Sequence, residues 1–468
     1  MQAEPSKRFA AVTVGHALDS LPNGRAHVLV VFHVFAVRTI VAFADQFGPY
    51  IFPGLSSEWG IALDELGNYA AASATGTLLG TLCTMTLDGT GRKIAMQWGF
   101  VIASAALFGA CLAPSFRVLL ALRMLQQGAM FYADAGFLVW MQEHLPTTGR
   151  GTYYAAAVLG WPVGKEMMIA VASRLPLASW RGLLLTAGSL TTLIAASAAF
   201  VEESPRQLAA SGNNARAFEA LKRMYERNRT PVYFSGCVAT ASFGIASGSA
   251  TTLIGRLRRL YVEFPRFVTY AAALFSALGL TTIMLDTWGP AIFGRLLTPD
   301  AATLPYEVLL LFNLGDLGGV LSSICLVERL GRRGCLALGF FGQATFLLLL
   351  VSARRALSLP LSPASLYGVL VPIGMLAASF RVFHWDAAQL WTLEAFPTEL
   401  RATALAVGKI TMQMAAAVAL SSPLARSAFA GDAVGPATLL AGFCAVLAVS
   451  GSIATACLPL ETRGEPMV

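Results

Sequence analysis

The sequence predicts an all-α membrane protein in which twelve transmembrane helices form two pseudo-symmetric halves of six. Three observations predict it. Of the 468 residues, 56% are hydrophobic and only 13% charged, far from the roughly 25% charged content of a soluble domain, and the mean hydropathy is +0.63. Apolar runs of about twenty residues recur along the chain, the length a helix needs to cross ~30 Å of hydrocarbon. Three charged signatures also occur twice, in the same order. Asp88-Gly-Thr-Gly-Arg-Lys93 returns as Glu328-Arg-Leu-Gly-Arg-Arg333, and Glu143, Pro146 and Arg150 recur at unchanged spacing as Glu394, Pro397 and Arg401. Glu203-Ser-Pro-Arg206 is answered by Glu461-Thr-Arg463. Ordered echoes of this kind imply two related halves.

The first apolar run, 26–54, follows a tail (1–25) that carries Lys7 and Arg8 but no short apolar core before a small-residue cleavage site, so the span itself does the targeting. Runs 67–87 and 93–113 flank the first charged hexapeptide. There Gly91 permits a tight turn between two helix ends, and Asp88 suits a positive helix N-terminus. Spans 117–142 and 152–174 are joined through Glu143, Pro146 and Arg150, and 180–201 completes an N-terminal bundle, 26–201.

A connector, 202–264, follows. Over 215–227, Ala215, Phe218, Leu221, Met224 and Tyr225 lie opposite Arg216, Lys222, Arg223 and Arg227, the pattern of a helix resting on the cytoplasmic membrane surface. Residues 232–255 are uncharged but dominated by Ser, Gly, Ala and Thr, and are read as loop. A thirteenth span there would invert the second half and put Glu328–Arg333 outside. Asn228-Arg-Thr230 fits a glycosylation sequon but falls on the cytoplasmic side, so it is read as chance.

The C-terminal bundle, 265–458, repeats the pattern at 266–290, 305–327, 334–352, 365–393, 403–425 and 434–458, before a tail, 459–468. Lys and Arg concentrate between spans on one side, which places both termini in the cytoplasm. The net charge of +7 thus belongs to membrane loops, and no nucleic-acid partner is expected. Seven scattered cysteines have no metal spacing and are expected as free thiols.

These motifs resemble those of the major facilitator superfamily. The hexapeptides are similar to its loop motif. Glu202-Glu-Ser-Pro-Arg206, Glu394-Ala-Phe-Pro-Thr398 with Arg401, and Pro459-Leu-Glu-Thr462 resemble markers shared by its sugar porters, organic ion transporters and synaptic-vesicle-protein-two-like members. The resemblance implies the major facilitator fold, two six-helix bundles around a central cavity with inverted three-helix repeats, and a secondary transporter working by alternating access. It also implies that the loop residues latch the bundles when the cavity opens outward. These are Asp88, Gly91, Arg92, Lys93, Glu143, Arg150, Glu203 and Arg206, then Glu328, Gly331, Arg332, Arg333, Glu394, Arg401 and Glu461.

Departures from the family pattern narrow the subgroup. The small residue expected four positions before the acid is Thr84 in the first copy and Ile324 in the second, which loosens the second latch. Span seven, Ala271 to Trp288, lacks the paired glutamines of hexose porters. The external loop 55–66 is short and has no cysteine, unlike that of animal organic ion transporters. Where those transporters place a charge matched to the substrate stands Gln413. The chain therefore resembles the synaptic-vesicle-like and microbial relatives better.

Ionisable residues at mid-bilayer cost about 2.5–3.5 kcal/mol each on insertion scales, so they face a cavity or pair. Arg38 and Asp45 share one face of span one, and Arg123 begins span four at about the depth of Asp45. Asp45 with Arg123 resembles the acid and arginine of proton-coupled sugar porters, which implies that protonating Asp45 releases Arg123 and permits closure; a static ion pair is the alternative. Lys165 and Glu166 lie midway along span five, about 100° apart on the helix, so at least one faces the cavity. On span ten Arg381, His384 and Trp385 share a face, while Asp386 is well round the helix from Arg381. Arg381 suits a bidentate solute carboxylate, and His384 titrates near physiological pH. Lys409 and Asp316 are candidates to pair.

The expected solute-binding set is Arg38, Lys165, Glu166, Arg381, His384 and Gln413, with Trp161 and Gln389 as hydrogen-bonding walls. There is no Walker-type phosphate loop, metal cluster or nucleophile motif, so neither an enzyme nor a cofactor or metal is expected. The expected partners are a small organic solute, a carboxylate favoured over others, the lipid bilayer and protons, acting on a monomer. A transporter-shaped sensor without flux and a sugar facilitator are the alternatives.

Overall fold

The structure, a computed structural model, describes residues 12–61, 66–87, 91–176, 179–238, 252–283, 306–356, 363–397 and 399–420, with most of 446–459 and Thr462. Among these residues it is helical except for one parallel pairing of β1 (Val12–Thr13) with β2 (Cys237–Val238). After a short helix, α1 (Val14–Asp19), the first span is α2 (Arg25–Gln46), which passes at Phe47 into α3 (Gly48–Trp59). Pro49 sits in the first turn of α3, where a missing N–H is tolerated. The same missing N–H leaves the carbonyl of Asp45, four residues earlier, without a helical donor.

The N-terminal half continues with α4 (Leu66–Thr84), α5 (Arg92–Cys111) and α6 (Phe116–His144). The fifth span is divided into α7 (Arg150–Val158) and α8 (Gly160–Arg174), which meet at Leu159. Pro162 is the cause, because it withholds a donor from the Val158 carbonyl. Gly160 and Gly164 let α8 lie directly on α2, since a Cβ on either would collide with the carbonyl of Phe35 or Thr39. α9 (Trp180–Ala198) completes this half.

The connector supplies α10 (Pro205–Ala210), α11 (Asn214–Arg227) and α12 (Leu253–Glu263). In the second half α13 (Pro265–Leu278) runs into a π turn, Gly279–Ile283. α14 (Tyr306–Ala356) holds two spans folded at Gly331, whose φ of 69° is open to glycine at little cost. α15 (Pro363–Ala395) and α16 (Arg401–Leu420) follow. Asp88, Glu461, residues 239–251, the end of the seventh span (284–290) and most of the twelfth lie outside the described residues.

Six described helical stretches are long and apolar enough to cross a membrane, one of them the double-length α14. Leu29, Phe32, Trp98 and Leu193 point outward and are more than half exposed, as a lipid-facing surface requires. The six described cysteines are all free.

One expectation is corrected by the packing. The apolar stripe of α11 does not rest on lipid, because Leu221, Met224 and Tyr225 are buried against Val14, Leu18 and Leu21 of the N-terminal segment. The Tyr225 hydroxyl donates to the Ala17 carbonyl at 2.7 Å. An amphipathic face needs an apolar cover, and here the chain's own N-terminal segment provides it. Asn228 is built into the same unit, accepting from the Ala26 N–H and donating to the Pro22 carbonyl, both at 2.8 Å. Its amide caps the open end of α2, so the sequon asparagine has a structural use.

Candidate functional site

The charged loops meet at one end of the bundle, called the basic face below. Gly91 turns the chain at φ 90° into α5, and Glu203 closes the N-terminus of that helix by accepting from the Arg92 and Lys93 N–H groups at 3.2 and 3.3 Å. Arg92 is fully buried, donating to Glu143 at 2.8 Å and to the Leu87 carbonyl at 2.9 Å. The second half repeats this arrangement. Arg332 forks onto Glu394 at 2.9 and 2.6 Å and lies 3.5 Å from Glu328, while Arg333 reaches the Leu458 carbonyl at 3.4 Å.

The echoed pairs also cross between halves. Arg150 of the first half lies 3.7 Å from Glu394 of the second, and Arg401 of the second lies 3.9 Å from Glu143 of the first. Glu328 accepts from the Gly151 N–H at 2.6 Å. Each half thus lends an arginine to the other half's glutamate, and the basic face is closed. Arg206 is buried close by, and desolvation holds its guanidinium below the usual arginine range against the pull of Asp19 and Glu143.

Above this layer is a buried polar group in mid-span. Arg38 bonds Asp134 at 2.6 Å and stacks on Trp161, its guanidinium carbon 4.5 Å from the ring centre. Asp316 receives Lys165 from the opposite half at 3.3 Å on Oδ2, and Arg381 of its own half on the same oxygen. That arrangement corrects the expected pairing of Asp316 with Lys409. Glu166 has a buried Oε1 without a hydrogen-bond partner, and Gln413 is half-buried on α16. His384 is fully buried and stacks on Phe340 at 4.3 Å between ring centres, within the contact of α14 and α15.

Toward the opposite end, Arg123 is anchored by neutral acceptors. It donates to the carbonyls of Asp45 at 2.7 Å and Ala44 at 3.0 Å, to Gln126 at 2.6 Å and to Ser73 at 2.8 Å. The Phe47 and Tyr69 rings cover its faces at 4.7 and 5.3 Å. The Asp45 carboxylate is 3.8 Å away and is held by Gln127 and by Gln46.

Sequence reasoning missed Asp134 and Tyr154. An aspartate within an apolar span is itself a signal and was available for Asp134; a tyrosine in such a span carries none. Among the described residues no group of His, Cys, Asp and Glu could hold a metal ion.

The chain is 25% identical over 435 residues to the synaptic vesicle 2-related protein of Rattus norvegicus, covering 87% of this chain and 73% of the relative. It is 22% identical over 448 residues to organic cation/carnitine transporter 7 of Arabidopsis thaliana, covering 87% and 86%. The fold superposes on the major facilitator superfamily proton:xylose symporter XylE with a TM-score of 0.70 at 16% identity, over 94% of this chain and 98% of that one. The family model for sugar (and other) transporters matches residues 56–467, and with twelve helices in two six-helix bundles the chain belongs to that family of multi-pass membrane transporters, within the major facilitator superfamily.

Proposed function

We propose that this transporter carries a small organic solute bearing a carboxylate, by alternating access and with proton coupling at Asp45, its basic face toward the cytoplasm. The observation that carries the reading is the meeting of Lys165 and Arg381, from opposite halves, on one oxygen of Asp316. A guanidinium is a planar fork of five donors that matches a carboxylate, so a solute carboxylate could be taken up by Arg381 in exchange for one of its present partners. Because Lys165 lies on the other half, a solute bridging the two would favour the conformation in which the halves approach.

Proton coupling is supported by how Asp45 is held. Its carboxylate rests on neutral amide donors, so a proton can be added while Arg123 stays on its carbonyls. Protonation would then change the charge beside Arg123 without freeing the arginine.

One relative's name joins organic cations with carnitine, and carnitine itself has both a quaternary ammonium and a carboxylate. Counterflow in proteoliposomes with labelled carnitine, benzoate, tetraethylammonium and xylose tests the class. The reading expects counterflow with benzoate or carnitine. Counterflow with tetraethylammonium or xylose alone would reject the carboxylate, and saturable binding with no counterflow for any of the four would favour a sensor.

A further inference from the structure

Asp386 is the buried acid that neither the latch nor the Asp316 group uses. It lies on α15 about 12 Å along the helix from Glu394, 1% exposed, and neither carboxylate oxygen has a hydrogen-bond partner. The Ser323 hydroxyl on α14 is its close neighbour without the geometry of a hydrogen bond, and the Tyr154 hydroxyl on α7 of the other half is also buried and unpartnered. The charges whose fields reach Asp386 are Arg38 on α2 and Asp316 on α14. Arg38 is bonded to Asp134, and Asp316 is bonded to Lys165 and Arg381. Arg381 and His384 precede it on its own helix; of the helices packed on α15, α16 carries the buried Lys409 and α13 carries Tyr270, whose hydroxyl is bonded to the Ala454 carbonyl at 2.6 Å.

An ionised carboxylate so deeply buried, with no side chain donating to it, is strongly disfavoured. A neutral carboxyl costs far less. We propose that Asp386 is a second proton-binding site, occupied while the basic face is closed and emptied when it opens. In the closed state the acid is sealed between the halves as COOH. Opening between α7 and α15 would bring water to it. The O–H bond then breaks, the proton passes to water at the basic face, and the carboxylate left behind is stabilised by that water and by Arg38. The proton site and the latch are thereby linked, because ionised Asp386 opposes closure. The inference builds on the proton-coupled reading but assigns a different residue and can fail independently of it. Asp45 lies toward the opposite end of α2, about 10 Å beyond Arg38, so the two acids stand on either side of the central charges.

The test needs no substrate. With the native free cysteines replaced by alanine, spin labels on cysteines introduced at the exposed positions Ser211 and Arg329 report the distance across the basic face by double electron–electron resonance in lipid, as pH is raised. With Asp386 and Asp45 intact the closed population should fall with rising pH. Asp386→Asn should remain closed and flatten that pH dependence, and Asp386→Glu should restore it. In parallel, infrared spectra should show a neutral carboxyl band that Asp386→Asn removes and Asp45→Asn keeps. An unchanged distance response and an unchanged carboxyl band in Asp386→Asn would overturn the proposal, as would a wild-type protein whose closure ignores pH. Loss of coupled uptake in Asp45→Asn alone, with Asp386→Asn behaving as wild type, would leave the proton-coupled reading standing and remove this one.

Discussion

Arg123 holds residue 45 by its backbone, donating to the Asp45 carbonyl at 2.7 Å, while the carboxylate of the same residue stands 3.8 Å off. Pro49 makes this possible, since a residue with no N–H leaves that carbonyl free to take a guanidinium. The arginine position is therefore set by the chain and not by the charge of the acid.

Asp45→Asn should accordingly fold with a melting temperature within a few degrees of wild type, abolish pH-driven accumulation and spare solute exchange. Uptake with and without an imposed pH gradient, beside a thermal melt of the same preparation, checks it. Unaltered pH dependence would make the pair a structural bridge.

Glu394 receives both prongs of Arg332 and faces Arg150 of the other half. Removing one member of a buried pair costs about 3–5 kcal/mol, so Glu394→Gln should lower the melting temperature sharply and shift the basic face toward open. Glu143→Gln, its echo in the first half, should act in the same direction. Distance measurements across the basic face check both; an undisturbed closed population would mean that the cross pairs carry no closure.

A surface clasp gives a pH effect of known sign. Glu58, ending α3, accepts from Arg181 and, at 2.9 Å, from the Trp180 ring N–H, and these bonds hold its carboxyl below the usual value of 4.5. A lowered folded value means that the stabilisation is present above the unfolded carboxylate value and is lost as pH falls through the folded one. Wild type should therefore melt slightly above Glu58→Gln at pH 7, and the difference should shrink as pH falls below the unfolded carboxylate value and vanish once Glu58 is protonated in the folded protein.

Asn228 caps α2 from two hundred residues away in sequence. Asn228→Ala should cost about 1 kcal/mol, in line with other lost N-caps, and denaturant titration should show it. Replacing it with Asp, which retains the acceptor, should cost less.

The spans and the tight turns were legible because they rest on local physics. Hydropathy over about twenty residues needs no knowledge of neighbours, and a glycine between charged helix ends marks a backbone that must turn, as Gly91 and Gly331 do. The partner of each buried charge was not legible. Asp316 lies between Lys165 and Arg381, one from each half, and helical spacing orders residues only within a helix. The same limit explains α11. Its stripe was visible, but the cover supplied by Val14 and Leu18 depends on where a distant segment folds back.

If a solute carboxylate sits on the fork of Arg381, Arg381→Lys should raise the apparent KM for benzoate or carnitine counterflow at least roughly tenfold, the ~1.4 kcal/mol of one good charged contact. Lys409→Arg should do less. Transport of a cation or a neutral sugar alone, unchanged by Arg381→Lys, would contradict the account.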